Sequence, residues 1–129
     1  MQCTIFYEDW QIQCCGSPFK IGEMVHWTGE TYDSNIKEFH IDFAEDHHMH
    51  YSLNIEGIVK RILAVTSEEE PNKKKYSFSE ADFLFQDIEE ADGYESLQED
   101  TENIHYIFWG YIVTLEDAKV SAINKQRLI

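Results

Sequence analysis

Hydrophobic and polar residues alternate along this chain in short runs that are typical of β-strands. Residues 3–7 (CTIFY) form the first such run, which is rich in β-branched and aromatic side chains. A second strand is predicted over residues 23–29, which end at a glycine. A third is indicated where Phe39, Ile41 and Phe43 alternate with polar residues, because a period of two places every second side chain on one face of a strand.

Two longer runs predict the main strands of the fold. Residues 57–67 (GIVKRILAVTS) are hydrophobic at odd and even positions but also contain Lys60 and Arg61, which is the pattern of a strand that bends. Residues 103–117 (NIHYIFWGYIVTLED) are also hydrophobic at odd and even positions, so we expect both faces of this strand to be covered. The glycines at positions 57 and 110 predict β-bulges or sharp bends.

One helix is predicted in the second half of the chain. Ser77 and Glu80 match the S-x-x-E capping box, and Gly93 supplies a C-terminal stop. The hydrophobic residues in between recur at helical spacing: Phe83, Leu84, Ile88 and Ala91. The fold class is therefore mainly β (β-rich α+β), a small and strongly bent antiparallel sheet or barrel with one helix. We expect residues 1–129 to form a single domain, with an acidic helix and loop inserted around residues 77–102.

The chain is strongly acidic, because 25 Asp and Glu residues against 10 Lys and Arg residues leave a formal charge of −15. Such a charge argues against nucleic acids and anionic membranes as partners, and it favours a basic protein. The acids concentrate in the second half, where residues 76–118 contain no Lys or Arg. The candidate partner-binding residues are Glu80, Asp82, Asp87, Glu89, Glu90, Asp92 and Glu95. Solubility alone is the competing explanation of this charge.

The cysteines indicate the compartment. Cys3, Cys14 and Cys15 are an odd number, and two of them are adjacent, so a disulfide framework is not expected and a reducing compartment suits them. The N-terminus lacks the features of a secretory signal, and no apolar run reaches the roughly 18 residues that a membrane helix needs. The expected location is the cytoplasm.

The adjacent cysteines also raise the question of a metal site. Structural zinc sites commonly space their thiolates as C-x2–4-C, whereas Cys14 and Cys15 have no residue between them. One of the two could still join the cluster of His47, His48 and His50, because imidazoles are good ligands of zinc or nickel. The alternative is structural, since small cysteines followed by a glycine and a proline suit a packed corner of the fold.

On the structural interpretation, Gly16 and Pro18 turn the chain after the cysteines. The odd-numbered hydrophobic positions beyond this turn share a parity, and we expect their side chains to point toward the core. They are Phe19, Ile21, Val25 and Trp27.

The sequence contains no glycine-rich phosphate loop, no G-x-S-x-G elbow, no H-E-x-x-H and no C-x-x-C. A catalytic cysteine would need a nearby base and an electropositive setting, which the acidity of the chain opposes. An enzymatic role is left open, and a non-enzymatic role is favoured.

Residues 10–27, WQIQCCGSPFKIGEMVHW, resemble the N-terminal signature W-Q-x-Q-C-C-G-x-P-F-x-x-G-x-x-V-x-W of an uncharacterised family of small bacterial proteins, a domain of unknown function. The runs GIVKRILAVT and WGYIVTLE, and the histidine-rich stretch before Gly57, are similar to that family as well. The resemblance implies no activity and no catalytic residue. The acidic segment over residues 80–102 is not part of the pattern.

Three functions are consistent with these observations. The first is a non-enzymatic cytosolic binding module that acts through protein–protein contacts and masks a basic partner, as an immunity or anti-defence protein does. The alternative is a metal-binding protein or enzyme of zinc type that uses the Cys/His cluster. The third is a small-ligand sensor with Trp10, Trp27 and Trp109 around the mouth of a barrel.

Overall fold

A computed structural model describes residues 1–14, 16–46, 52–69, 83–93 and 105–123 of the chain. These residues form one short helix and a set of strands. In chain order the elements are β1 (Cys3–Glu8), α1 (Asp9–Cys14), β2 (Phe19–Lys20), β3 (Met24–Ile36), β4 (Phe39–Glu45), β5 (Leu53–Glu69), β6 (Phe83–Ile88), β7 (Glu90–Ala91) and β8 (His105–Ala122). The predicted class, β-rich with one helix, is confirmed.

Six of the strands form one strongly curled sheet in the order β3-β4-β1-β8-β5-β6, while β2 and β7 pair separately. β3 has two neighbours, because residues 24–29 pair with β5 and residues 29–36 pair with β4. β3 therefore links β4 to β5, two strands that are otherwise separated in the sheet order by β1 and β8. β6 pairs with the later half of β5.

One pairing departs from the antiparallel prediction, because β1 and β4 run parallel, with Ile5 beside Phe43 and Phe6 beside Ala44. A parallel pair needs a long crossover connection, which α1, β2 and β3 supply here. The sheet is therefore mixed. Since parallel strands end on the same side, Tyr7 near the end of β1 and the last residue of β4 reach the same end of the sheet.

The longest ladder joins β5 to β8 and bends at the two predicted glycines. Its register shifts at Gly57 and again opposite Gly110. Gly110 has a φ of 144°, and a Cβ at this position would lie 2.3 Å from the carbonyl oxygen of Tyr7. The predicted bulges are confirmed, and they allow the sheet to curl.

The curled sheet carries a hydrophobic cluster on each face. One cluster, which we call the inner cluster, includes Ile62 and Val113. The other, which we call the outer cluster, includes their chain neighbours Leu63 and Ile112. This alternation follows from the strand period of two. The prediction that the strand at residues 103–117 is covered on both faces is therefore confirmed where the structure describes it.

The predicted helix over residues 77–92 is wrong in its described part, where Phe83–Ile88 form β6 and Glu90–Ala91 form β7. β6 adds to the edge that β5 presents along residues 62–67, so ladder hydrogen bonds take the place of helical ones. Phe83 and Phe85 also have strand spacing, and both pack against the outer cluster. Residues 77–82, with the predicted capping box, lie outside the described residues.

The helix of the described chain is α1, at a position where none was predicted. Asp9 places an acidic side chain in its first turn, which favours a helix N-terminus. Its six residues are too few to show a helical period in the sequence. Within the described ranges, no helix is long and apolar enough to cross a membrane.

Candidate functional site

Residues 10–27 form α1, β2 and the start of β3, with a tight corner between α1 and β2. The backbone N–H of Gly16 donates a hydrogen bond to the carbonyl oxygen of Gln11 at 3.1 Å. A Cβ at Gly16 would lie 2.4 Å from the hydroxyl oxygen of Tyr7, so any larger residue would displace its neighbours. The corner is therefore closely packed around Gly16, while Cys15 and the side chain of Cys14 lie outside the described part.

Three of the four side chains that were predicted to point inward after this corner do so. Phe19 and Val25 are buried, and Trp27 packs against the inner cluster. The prediction is wrong for Ile21, whose side chain is 43% exposed. Ile21 and Gly22 form a turn in which Gly22 has a φ of 89°, so strand alternation does not apply there.

Four aromatic rings meet behind the corner. The ring centroid of Phe19 lies 5.0 Å from that of Trp27 and 5.7 Å from that of Tyr111, with both pairs edge to face. Tyr7 and Trp27 are also edge to face, at 4.9 Å. Such pairs direct the positive edge of one ring at the negative face of another, so they fix the ring orientations.

A cavity of about 410 Å³ opens beside these rings. We call it the Glu45 pocket, and its lining includes Tyr7, Phe19, Trp27, Thr28 and Glu45. The aromatic side chains come from β1, β2 and β3, and the carboxyl group comes from the end of β4. Binding sites for small molecules fall in the same range of volume, about 300 to 1,000 Å³.

Glu45 is the unusual residue of this pocket, because it is only 4% exposed. The next residue, Asp46, exchanges two hydrogen bonds with Thr28. Its N–H donates to the Thr28 carbonyl oxygen at 2.9 Å, and its carbonyl oxygen accepts from the Thr28 hydroxyl at 2.7 Å. These bonds hold the end of β4 in place. The pocket thus combines a buried carboxyl group with aromatic walls, two features that both attract a cation.

A smaller depression of about 150 Å³ continues from the pocket. It shares Pro18, Phe19 and Glu23 with the Glu45 pocket and extends to Lys20, Glu90 and Asp92. The Glu23 carboxylate accepts a hydrogen bond from the backbone N–H of Lys20 at 3.1 Å. The carboxylates of Glu23, Glu90 and Asp92 therefore lie beside the pocket that contains Glu45.

His26, which lines the pocket, contacts Glu56 of the neighbouring strand. Nδ1 of His26 is 3.0 Å from Oε2 of Glu56, and both side chains are exposed.

The structure places four of the seven predicted partner-binding acids, and all four are exposed: Asp87, Glu89, Glu90 and Asp92. Asp87 accepts two hydrogen bonds from Arg61, at 2.7 Å from Nε and 3.1 Å from Nη2. These hydrogen bonds, and the attraction of the guanidinium charge, lower the pKa of Asp87 and raise that of Arg61. Asp87 is thus engaged within the chain, whereas Glu90 and Asp92 line the smaller depression. Glu80, Asp82 and Glu95 lie outside the described residues.

The predicted zinc ligands fall almost entirely beyond what the structure describes. Cys15, His47, His48 and His50 lie outside the described residues, and Cys14 ends α1. In the described part of the chain, no group of three or more His, Cys, Asp or Glu side chains is arranged to hold a metal ion.

Cys3, the remaining cysteine, is buried in β1. Burial raises the pKa of its thiol to about 11, and the nearby charge of Asp42 adds to this effect. The group is therefore a thiol at neutral pH, as suits a structural residue.

The two tryptophans whose side chains are described, Trp27 and Trp109, do not line the same cavity. Trp27 lines the Glu45 pocket, whereas Trp109 lines a different cavity. The side chain of Trp10 lies outside those described.

Glu45 belongs to no recognised motif, but the hydrophobic pattern of the sequence contains a signal for it. Glu45 shares the odd parity of Phe39, Ile41 and Phe43. In the structure Phe43 packs against the inner cluster, on the side where Glu45 lines the pocket, whereas Phe39 and Ile41 pack in the outer cluster beyond the register shift of the β3–β4 ladder. Charged residues are rarely buried, and an acid in such a series is therefore a candidate for function.

The model of a family of unknown function (DUF6578) matches residues 1–117. The chain belongs to this family. The resemblance noted in the sequence is confirmed to that extent. No curated protein and no solved structure gives a significant match. Every residue that lines the Glu45 pocket falls within the matched range.

Proposed function

We propose that this member of the family is a cytoplasmic binding module whose Glu45 pocket takes an alkylammonium group, such as a lysine side chain of a basic protein partner. The observation that carries the proposal is the buried carboxyl group of Glu45 among the rings of Tyr7, Phe19 and Trp27.

A cation is the ligand class that this pocket favours. An ammonium group within about 6 Å of an aromatic ring is attracted to its face, most strongly by tryptophan. A carboxylate adds a charge-assisted hydrogen bond, which is stronger than a neutral one. Trp27 and Glu45 line the same cavity, so one ligand can use both interactions.

Lysine suits the pocket better than arginine does. Its charge is a compact ammonium at the end of a four-carbon stem, whereas a guanidinium is planar and prefers a stacked or bidentate partner. The stem can pack along Phe19 and Val25 while the ammonium reaches inward.

The surroundings of the pocket favour a protein as the source of this side chain. The depression that continues past Glu90 and Asp92 extends the site across the surface, beyond the reach of a single small amine. The formal charge of −15 would speed the approach of a basic partner. Masking of such a partner, as in immunity or anti-defence proteins, is the biological role that we propose, in a bacterial cytoplasm.

The test is a calorimetric titration with a lysine decapeptide as the probe. Glu45→Gln keeps the shape of the side chain and removes its charge, and we expect it to weaken binding about tenfold or more, because hydrogen bonds to charged groups contribute about 1.5–3 kcal/mol. Glu38→Gln is the matched control, since it removes the same charge from an exposed turn residue that does not line the pocket. We expect the control to change the affinity less than twofold, about the effect of an exposed charge.

Equal affinities of the two variants would contradict the proposal, because binding would then depend on overall charge alone. Absence of binding by the unaltered protein would also contradict it. The affinity should fall as salt is raised from about 50 mM to 500 mM, since the screening length for the rim charges shortens from about 14 Å to about 4 Å in that range. The difference between the variants should persist, because a buried interaction is screened less.

Zinc binding stays a prediction, since four of the five proposed ligands lie outside the described residues: Cys15, His47, His48 and His50. Native mass spectrometry of protein purified without chelator tests it. One bound zinc that is lost from both Cys14→Ser and His48→Ala would support the site, because removal of one ligand degrades the whole site. A metal-free mass, or metal that both variants retain, would contradict it.

A further inference from the structure

A second cavity, of about 530 Å³, lies between the β3–β4 hairpin and the outer face of the sheet. We call it the hairpin cavity, and its hydrophobic lining comes from Phe6, Ile36, Ala44, Val65, Phe83 and Trp109. It shares no lining residue with the Glu45 pocket. An inference about it therefore stands independently of the proposed function.

The hairpin cavity is held open by contacts on either side of it. At the tip of the hairpin, the Phe39 ring packs on Phe85 with centroids 4.8 Å apart, and Nζ of Lys37 donates to the carbonyl oxygen of Phe83 at 3.1 Å. On the opposite wall, the indole N–H of Trp109 donates to the hydroxyl of Ser67 at 2.7 Å. Because these contacts fix the walls, the cavity is preformed, as small-molecule sites usually are.

A β-bulge shapes the mouth of the cavity. The register of the β3–β4 ladder shifts between Thr31 and Ser34, and Asp33 within the bulge has a φ of 44°. Bulges of this kind redirect side chains, and left-handed backbone at a residue other than glycine is costly. Tyr32, in the same bulge, lines the cavity while remaining 40% exposed. The strained segment thus places a phenol at the mouth.

The charged residues that line the hairpin cavity are all acidic. Glu8 and Asp9, at the junction of β1 and α1, contribute two carboxylates, and Tyr32 and Asn35 contribute neutral polar groups. No Lys, Arg or His is among the described residues of the lining. A ligand that complements these walls has a hydrophobic body and a positive charge at one end.

We infer that the hairpin cavity binds a small amphipathic amine, whose aromatic or branched aliphatic body packs among Phe6, Phe83 and Trp109 and whose ammonium group lies beside Glu8 and Asp9. The volume accommodates one such molecule. The preformed aromatic walls supply affinity, and the carboxylates select the charged end.

The test uses 2-phenylethylamine and its neutral isostere 2-phenylethanol as probes, followed by the NMR signal of the Trp109 indole N–H. We expect the amine to shift this signal in a saturable manner and to bind about tenfold more tightly than the alcohol, as a charge-assisted contact requires. The Glu8→Gln/Asp9→Asn double variant should lose this preference. Glu38→Gln should keep it.

Two further variants separate the outcomes. Ala44→Leu fills the cavity and should abolish the shift, and the dispersion of the remaining amide signals shows whether that variant is folded. Glu45→Gln should leave the shift unchanged, because Glu45 lies in the other pocket. Equal affinity for amine and alcohol, or an amine-induced shift that survives in folded Ala44→Leu, would overturn the inference, and so would the absence of any shift at Trp109.

Discussion

Phe19 connects the candidate site to the inner core, and its replacement gives a quantitative test of the structure. Its side chain is 3% exposed, and its ring meets those of Tyr7, Trp27 and Tyr111 at 5.6, 5.0 and 5.7 Å. Truncation of a buried phenylalanine to alanine costs about 3–5 kcal/mol. Three aromatic pairs of about 0.5–1.5 kcal/mol each place Phe19→Ala in the upper half of that range.

Phe19→Ala should therefore lower the free energy of unfolding by about 4 kcal/mol, a large share of the about 5–15 kcal/mol that domains typically have. Phe19→Leu keeps most of the volume but loses the ring contacts, and it should cost about 1.5 kcal/mol or more, though less than Phe19→Ala. The assay is urea denaturation at 25 °C followed by far-ultraviolet circular dichroism, with the free energy extrapolated to water.

Ile21→Ala is the matched control, because Ile21 has the same parity as Phe19 and lies two residues away, yet is 43% exposed. Surface substitutions change stability by about 0.5 kcal/mol or less. Equal costs at the two positions would refute the placement of Ile21 in a turn. A loss below about 1.5 kcal/mol for Phe19→Ala would refute the aromatic cluster as the support of the pocket.

Three further predictions concern other parts of the molecule. Burial raises the pKa of the Cys3 thiol to about 11, so this thiol should resist iodoacetamide at pH 8 in the folded protein and react after denaturation. Peptide mass mapping measures the labelling, and rapid labelling of the native protein would contradict the burial of Cys3. Because Arg61 lowers the pKa of Asp87 in the folded state, the pair stabilises the fold above the unfolded pKa of about 4, and this small contribution is lost as the pH falls through the lower folded pKa. The difference in urea midpoint between the unaltered protein and Asp87→Asn should accordingly shrink as the solution is acidified, and a difference that stays constant from neutral pH into acid would count against the pair. Gly110→Ala should cost about 2 kcal/mol or more in the same denaturation assay, because of the positive φ and the approach to the Tyr7 carbonyl oxygen, and a neutral result would exclude the bulge.

The strands were predictable where the local pattern and the tertiary environment agree. Phe39, Ile41 and Phe43 alternate with polar neighbours, and the chain there forms β4. Gly57 and Gly110 interrupt apolar runs, and the β5–β8 register shifts at both. In each case the residues themselves contain the information, namely a period of two or a missing Cβ.

The second half was harder to predict because a tertiary partner decides its structure. Phe83, Leu84 and Ile88 fit a helical face, while Phe83 and Phe85 fit a strand, and the edge of β5 selects the strand. Pairing of this kind depends on residues about 20 positions away in the sequence, which no local pattern shows. α1 was not predicted because its six residues are too few to show the hydrophobic period of a helix.

The candidate site could be predicted only in part. Trp27 and Phe19 were expected to point inward, but Tyr7 and Glu45 come from separate strands that converge through the parallel pairing of β1 with β4. That convergence depends on strand order, which the sequence does not display. The acidic segment was visible from composition alone, although the engagement of Asp87 by Arg61 was not.

The central claim is that the Glu45 pocket encloses the ammonium end of a lysine side chain. The most direct measurement is an isotope-filtered NOE experiment on the protein bound to a lysine decapeptide. We expect NOEs from the ε-methylene protons of lysine to the indole ring of Trp27, and their loss in Glu45→Gln. NOEs confined to Glu90 and Asp92 on the surface, with none to Trp27, would contradict the claim.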